Sequence, residues 1–152
     1  QALAHLSKGR RVLALDPFYY GESQLKTRGF LHAILVAAVG ERPLGIQVSQ
    51  VAAIARWIHE KEKKMVDIEA HGPRTSTIAL TATTLDIKNI RQATLHRSLD
   101  TLKSLIRDNH GANKYPELFC FGLLEYFDIP EMTKLANFNG KERIFVVQPK
   151  EN

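Results

Sequence analysis

Between positions 65 and 96 two short apolar runs, "MVDI" (65–68) and "IRQATLH" (90–96), flank a stretch far too long for a hairpin and of helical length. Strands joined through a helix lie parallel, because the connection carries the chain back to the end from which it started. The same alternation extends in both directions. "VLALD" (12–16) is continuously apolar, rich in branched residues, and ends in a polar turn, as a buried parallel strand does. "RIFVVQP" (143–149) is the last such run. Apolar residues at 48, 51, 52, 55 and 58 follow helical spacing, and so do those at 99, 102, 105 and 106 in "SLDTLKSLIRDN" (98–109), where Ser98 is a candidate N-cap. After Pro73, "TSTIALTATTL" is helical in length and small-residue content, although threonine weakens the propensity. "PELFCFGLLEYF" reads as a helix interrupted by Gly122, and "IPEMTKLANF" as another with proline in its first turn. The resulting β-α-β-α-β-α-β order predicts an α/β fold. Its parallel sheet of four strands is covered by helices on both faces, with functional groups at the C-terminal strand ends.

The 152 residues read as one domain, 1–152, with a hydrophobic share of 44% that excludes global disorder. The net charge of +5 would suit an acidic partner, but the cations are scattered and nowhere interleave with aromatics as in a single-strand reader. The densest run, "HEKEKK" (59–64), mixes signs at a helix end and reads as a solvated face. Neither nucleic acid nor membrane is therefore an expected partner, since no stretch approaches the roughly 20 apolar residues of a membrane helix. The single cysteine, Cys120, lies in an apolar run and reads as a small hydrophobe. No glycine-rich phosphate loop appears, and no HExxH or paired carboxylate–histidine spacing points to a metal; no cofactor is expected.

Three segments carry a family resemblance. "RRVLALDPFYYGES" resembles a strand of the form "vlavD-x-x-G-x-G-e-S", through Asp16, Gly21, Glu22 and Ser23. "RPLGIQVSQVAAIARWI" resembles a segment that leads into the helix before a nucleophile elbow. "MVDIEAHGPRTSTIALTATTLD" resembles strand, elbow and helix, closing on Ala82, Leu85 and Asp86. Together they resemble the α/β-hydrolase fold, in its acetyl-xylan-esterase and dienelactone-hydrolase-like branch, from the fourth to the seventh strand. The resemblance implies a partial α/β-hydrolase-like domain, a small ester or carbohydrate as substrate, and a secreted or periplasmic location. This sequence itself shows no basic-then-apolar leader.

The family elbow reads Gly-x-Ser-x-Gly. Its strained turn lifts the serine above the sheet, and the next backbone N–H helps form the oxyanion hole. Here the elbow region is Ala70, His71, Gly72, Pro73 and Arg74. Gly72 falls at the serine position, Ala70 replaces the first glycine and Arg74 the second. Glycine offers no nucleophile, and Pro73 lacks the oxyanion N–H. Ser76 lies one turn into the helix and reads as bonded to the backbone. The family acid would fall near 150–152, where Glu151 could serve. Asp128 is the more conspicuous carboxylate and reads as the N-cap of the following helix. The family histidine follows an eighth strand that lies outside this sequence. Among His5, His32, His59, His96 and His110, His96 stands nearest the functional edge; His71 flanks the apex.

These residues imply an esterase-related domain without a complete triad and inactive in acyl transfer. Alternatives are a non-catalytic domain that binds a small ligand or carbohydrate, or one that pairs with another chain through exposed sheet edges. A doubly wound domain of flavodoxin-like order would instead place a loop at 70–74.

Overall fold

The computed structural model of the chain describes residues 2–24 and 27–148. The helices are α1 (Ala2–Leu6), α2 (Gly29–Ala38), α3 (Pro43–Glu62), α4 (Pro73–Leu85), α5 (Lys103–Arg107), α6 (Leu123–Tyr126) and α7 (Ile129–Ala136). The strands are β1 (Val66–His71), β2 (Ile90–His96) and β3 (Ile144–Val147). They form one parallel sheet in the order β1-β2-β3, so the fold is α/β as expected.

The sheet has three described strands, not four. Residues 12–16 form no strand, and Val12, Leu13 and Leu15 are exposed. Apolar composition favours a strand only where a neighbour completes the hydrogen-bond ladder, and these residues have none among the described elements. The chain beyond them is pinned instead by two glutamines of α3. Gln47 donates to Phe18 O at 3.0 Å, and Phe18 N donates to Gln50 Oε1 at 2.6 Å.

Register decides which side chains enter the core. Val66 pairs with Ile90 but Asp67 pairs with Gln92, so β2 carries one extra residue, a bulge at Arg91. The bulge resets the alternation of β2. Ile90, Ala93 and Leu95 all turn inward beside Val66, Ile68 and Ala70, while Glu69, His71, Thr94 and His96 share the other face. Cover on the two faces is unequal. α4 packs on the inner face of β1 and β2, and α7 packs on α4. α1 meets the other face through His5, which bonds Glu69 at 2.6 Å.

α4 is the densest part of the core. Ile78, Ala79, Leu80 and Ala82 are buried, and so are Ser76, Thr77 and Thr83. Ala79 and Leu80 join Ala93, Leu95, Met132 and Ile144 in one cluster. Ile78 and Ala82 meet Leu44, Val48 and Ala55 of α3 in a second. The buried hydroxyls need partners, and they find them locally. Thr77 donates to Pro73 O at 2.9 Å and Thr83 to Ala79 O at 2.8 Å, each four residues back. By contrast α2, "GFLHAILVAA", buries none of its residues. Among the described residues no single helix is long and apolar enough to cross a membrane; α2 and α3 satisfy length and composition only together and meet at 87°.

The helix expected at 98–109 is shorter, Lys103–Arg107, because Asp128 organises its start. Leu102 N donates to the Asp128 carboxylate at 2.6 Å, and Thr101 Oγ1 donates to it as well. Asp128 also caps α7, accepting from Ile129 N at 2.7 Å, while Asp128 N donates to Glu131 Oε2 at 3.1 Å to complete a capping box. Burial pushes the Asp128 carboxyl up, but the bonds from Thr101, Leu102 and Ile129 outweigh it and hold it below its ordinary value of 3.8. We therefore expect Asp128→Ala to lower stability in urea unfolding by about 2–3 kcal/mol, the loss of a cap and of buried hydrogen bonds. The folded-state value lies below the unfolded one. The stabilisation should therefore be complete above pH about 4 and drain away as pH falls through the folded-state value. In Asp128→Asn that acid-side loss should shrink.

Candidate functional site

β1 turns into α4 through one residue. β1 ends at His71, α4 starts at Pro73, and Gly72 between them has φ 94° and ψ 167°. That backbone region is open essentially to glycine alone. Pro73 suits the first helical position, where its missing N–H would have had no partner and its fixed φ is already helical. Three bonds hold the turn: Gly72 N to His96 O at 2.8 Å, Ser76 N to Gly72 O at 3.0 Å, and Thr75 Oγ1 to His71 O at 2.7 Å. A Cβ at Gly72 would meet no atom within 4 Å, so the apex faces open space.

Ser76 lies beneath this turn at 1% exposure, its hydroxyl 3.4 Å from His96 O. Among the described residues no histidine side chain bonds it. Ala70 is buried under α4. Asp128 spends its oxygens on the caps described above, and Glu151 lies outside the described residues.

The polar face beside the turn gathers side chains that linear spacing left apart. Glu69 and His71 are two residues apart on β1, so both point to the same face, and His96 is the cross-strand partner of His71. The two imidazoles stack at 4.3 Å between centroids and 13° between planes. His96 Nε2 lies 2.8 Å from Glu69 Oε1, and His71 Nε2 lies 3.7 Å from the same oxygen. His5 Nε2 takes the other oxygen, Oε2, at 2.6 Å. Arg10 donates to His5 Nδ1 at 3.3 Å, which leaves the His5 proton on Nε2, aimed at Glu69. Burial works to raise the Glu69 carboxyl, but hydrogen bonds from His5 and His96 hold it below its ordinary value. Burial, with the neighbouring His96, lowers His71.

Arg74, two residues past the apex, turns to the opposite flank. Its Nη2 donates to Glu117 Oε2 at 3.0 Å and its Nε donates to Oε1, making a two-pronged pair with a carboxylate only 1% exposed. Tyr20 OH donates to the same Oε1 at 3.1 Å, and the Arg74 guanidinium lies 4.7 Å from the Tyr20 ring centre. Burial, with Glu117 adding to it, drives the Tyr20 phenol far above its ordinary value. Burial works against the charge on Arg74, but the bonds and charge of Glu117 raise it overall. Arg74 also borders an open cleft of about 390 Å³ lined by Tyr19, Arg28, Phe30 and Lys114.

Several of these residues escape sequence reasoning. Glu69 carried one readable signal, the Glu-x-His alternation at the end of an apolar run, which on a strand puts both side chains on one face. Glu117 and Tyr20 carried none, because their pairing with Arg74 spans the whole fold. His32 stacks on Tyr19 and His110 packs edge-on against Tyr115, away from the turn. Compared with protein-family models, curated proteins and solved structures, the chain matches none.

The turn makes a direct prediction. Gly72→Ala has room for its methyl group but not the backbone freedom, so it should cost about 1–3 kcal/mol in urea unfolding. A neutral substitution would show that the turn does not hold the backbone described.

Proposed function

We propose that this chain is an α/β-hydrolase-like domain, related to esterases, that keeps the elbow as architecture and does not carry out acyl transfer. The backbone of Gly72 carries the reading. A tight strand-to-helix turn with a positive-φ residue at its apex, facing open space, resembles the strained turn on which a hydrolase displays its serine. A flavodoxin-like loop at 70–74 would not need it. At this apex no hydroxyl exists to attack a carbonyl, and Pro73 has no N–H to stabilise the oxyanion that would follow. Ser76 sits below the turn, its hydroxyl turned to a backbone carbonyl, without a base among the described residues to take its proton. Of the histidines nearest the apex, His96 bonds Glu69 and His71 stacks on His96.

A second reading, binding without turnover, draws on the cleft beside Arg74. Arg28 and Lys114 supply cationic rims beside Tyr19 and Phe30, and this mostly polar lining suits a small oxygen-rich ligand such as a carbohydrate or an ester. The outer edges of β1 and β3, unpaired among the described residues and with Phe145, Val146 and Val147 exposed on β3, are where a second chain would add.

Both readings predict that the protein hydrolyses 4-nitrophenyl acetate no faster than buffer, and that Ser76→Ala changes nothing. Turnover abolished by Ser76→Ala would overturn them. A saccharide or ester that raises the melting temperature without being hydrolysed would favour the binding reading.

A further inference from the structure

The polar face at the C-terminal ends of β1 and β2 brings together the side-chain types that ligate transition metals. We propose that Glu69, His71 and His96 form a binding site for a divalent ion of the zinc class, using Glu69 Oε1 and the two histidine Nε2 atoms and leaving a fourth position open to solvent.

The geometry is close to what such an ion needs. The three ligand atoms all lie within 4.8 Å of one another. Ligands of a tetrahedral zinc, at about 2.0–2.2 Å from the metal, stand about 3.4 Å apart. The separations from Glu69 Oε1, 2.8 Å to His96 and 3.7 Å to His71, fall on either side of that value. Both histidines end paired strands in register, so their side chains leave the sheet side by side; their rings stack in the free protein, and binding turns them out of the stack until each Nε2 points at the ion.

The surroundings are arranged for it. His5 holds Glu69 Oε2, which fixes the carboxylate and leaves Oε1, bonded to His96 in the free protein, as the oxygen that faces the ion; an outer-shell partner of this kind orients a ligand. Arg10 in turn fixes His5. The His71 side chain is 44% exposed, which opens the remaining position to water or a ligand oxygen. Two imidazoles and one carboxylate suit zinc, cobalt and nickel, whereas calcium and magnesium take oxygen ligands throughout. On binding, the proton that His96 Nε2 shares with Glu69 moves to Nδ1 or to solvent, and the ion takes its place. The site stands whether or not the neighbouring turn descends from a hydrolase elbow.

The test is calorimetric titration of the whole chain with zinc chloride, with visible absorption of the cobalt(II) form reporting coordination. The wild type should take up one ion per chain with the spectrum of four-coordinate cobalt. His71→Ala and His96→Ala should each abolish this uptake. His71 is exposed and can be replaced without disturbing the core, which unchanged far-ultraviolet circular dichroism would verify. His5→Ala should weaken binding about 10-fold, as outer-shell changes do. His110→Ala, remote from the sheet edge, should bind as the wild type does. No stoichiometric uptake by the folded wild type, or uptake that survives His71→Ala and His96→Ala, would overturn the proposal.

Discussion

The packing of α4 against the parallel sheet is the interaction on which the rest depends. This helix touches β1, β2, α3 and α7, and both buried clusters run through it. Its composition is unusual for a core helix, with five threonines in thirteen residues. Threonine is a poor helix former, and a buried hydroxyl without a partner costs about 1–3 kcal/mol. The helix avoids that cost by returning each hydroxyl to its own backbone. Thr75, Thr77, Thr81, Thr83 and Thr84 all donate to the carbonyl four residues earlier. What remains facing outward is methyl and aliphatic surface, which packs closely against Ala93, Leu95 and Met132. Small side chains let α4 lie near the sheet, and that closeness makes a one-residue turn from β1 workable.

The turn and the sheet edge follow from this placement. Because α4 begins immediately after β1, the apex at Gly72 has to adopt a backbone that only glycine tolerates, and the neighbouring side chains are thrown to opposite flanks. His71 remains on the strand face with Glu69 and His96, while Arg74, already helical, reaches Glu117 and Tyr20. The two polar groupings are built differently. Arg74 and Glu117 neutralise each other in a nearly closed setting, and such a pair chiefly fixes geometry, since desolvation offsets much of its attraction. The histidine cluster is open on one side, with one acidic group among three imidazoles, and keeps unused ligand capacity. Charge and exposure thus divide the neighbourhood of the turn into a structural half and a chemically available half.

Much of this was readable from the chain, and the failures have physical causes. The apolar run at 90–96 is a strand over Ile90–His96, and Asp128 is the N-cap that its place before Pro130 implied. The turn at 70–74 is tight, and its proline opens the helix. These features are local: propensity, capping and turn chemistry act within a few residues. The run at 12–16 looked equally strand-like, yet a strand also needs a partner, and pairing is not a property of the run itself. The helix at 98–109 lost its first turn to a carboxylate some 26 positions away. The bulge at Arg91, the bond from His5 to Glu69 across 64 positions and that from Arg74 to Glu117 across 43 all depend on how distant segments meet. Glu69, His71 and His96 show no metal-ligand spacing along the chain, because they meet across two strands, where the relevant period is the register.

If α4 on its parallel sheet is the part that holds the molecule together, local stability should be distributed accordingly. Native-state hydrogen exchange measures this residue by residue. The amides of 76–84 in α4 and 93–95 in β2 should exchange only through global unfolding, the slowest in the chain. Those of α2, which buries nothing, should exchange orders of magnitude faster. Equal protection in α2 and α4, or an α4 that opens while β2 stays closed, would contradict the account.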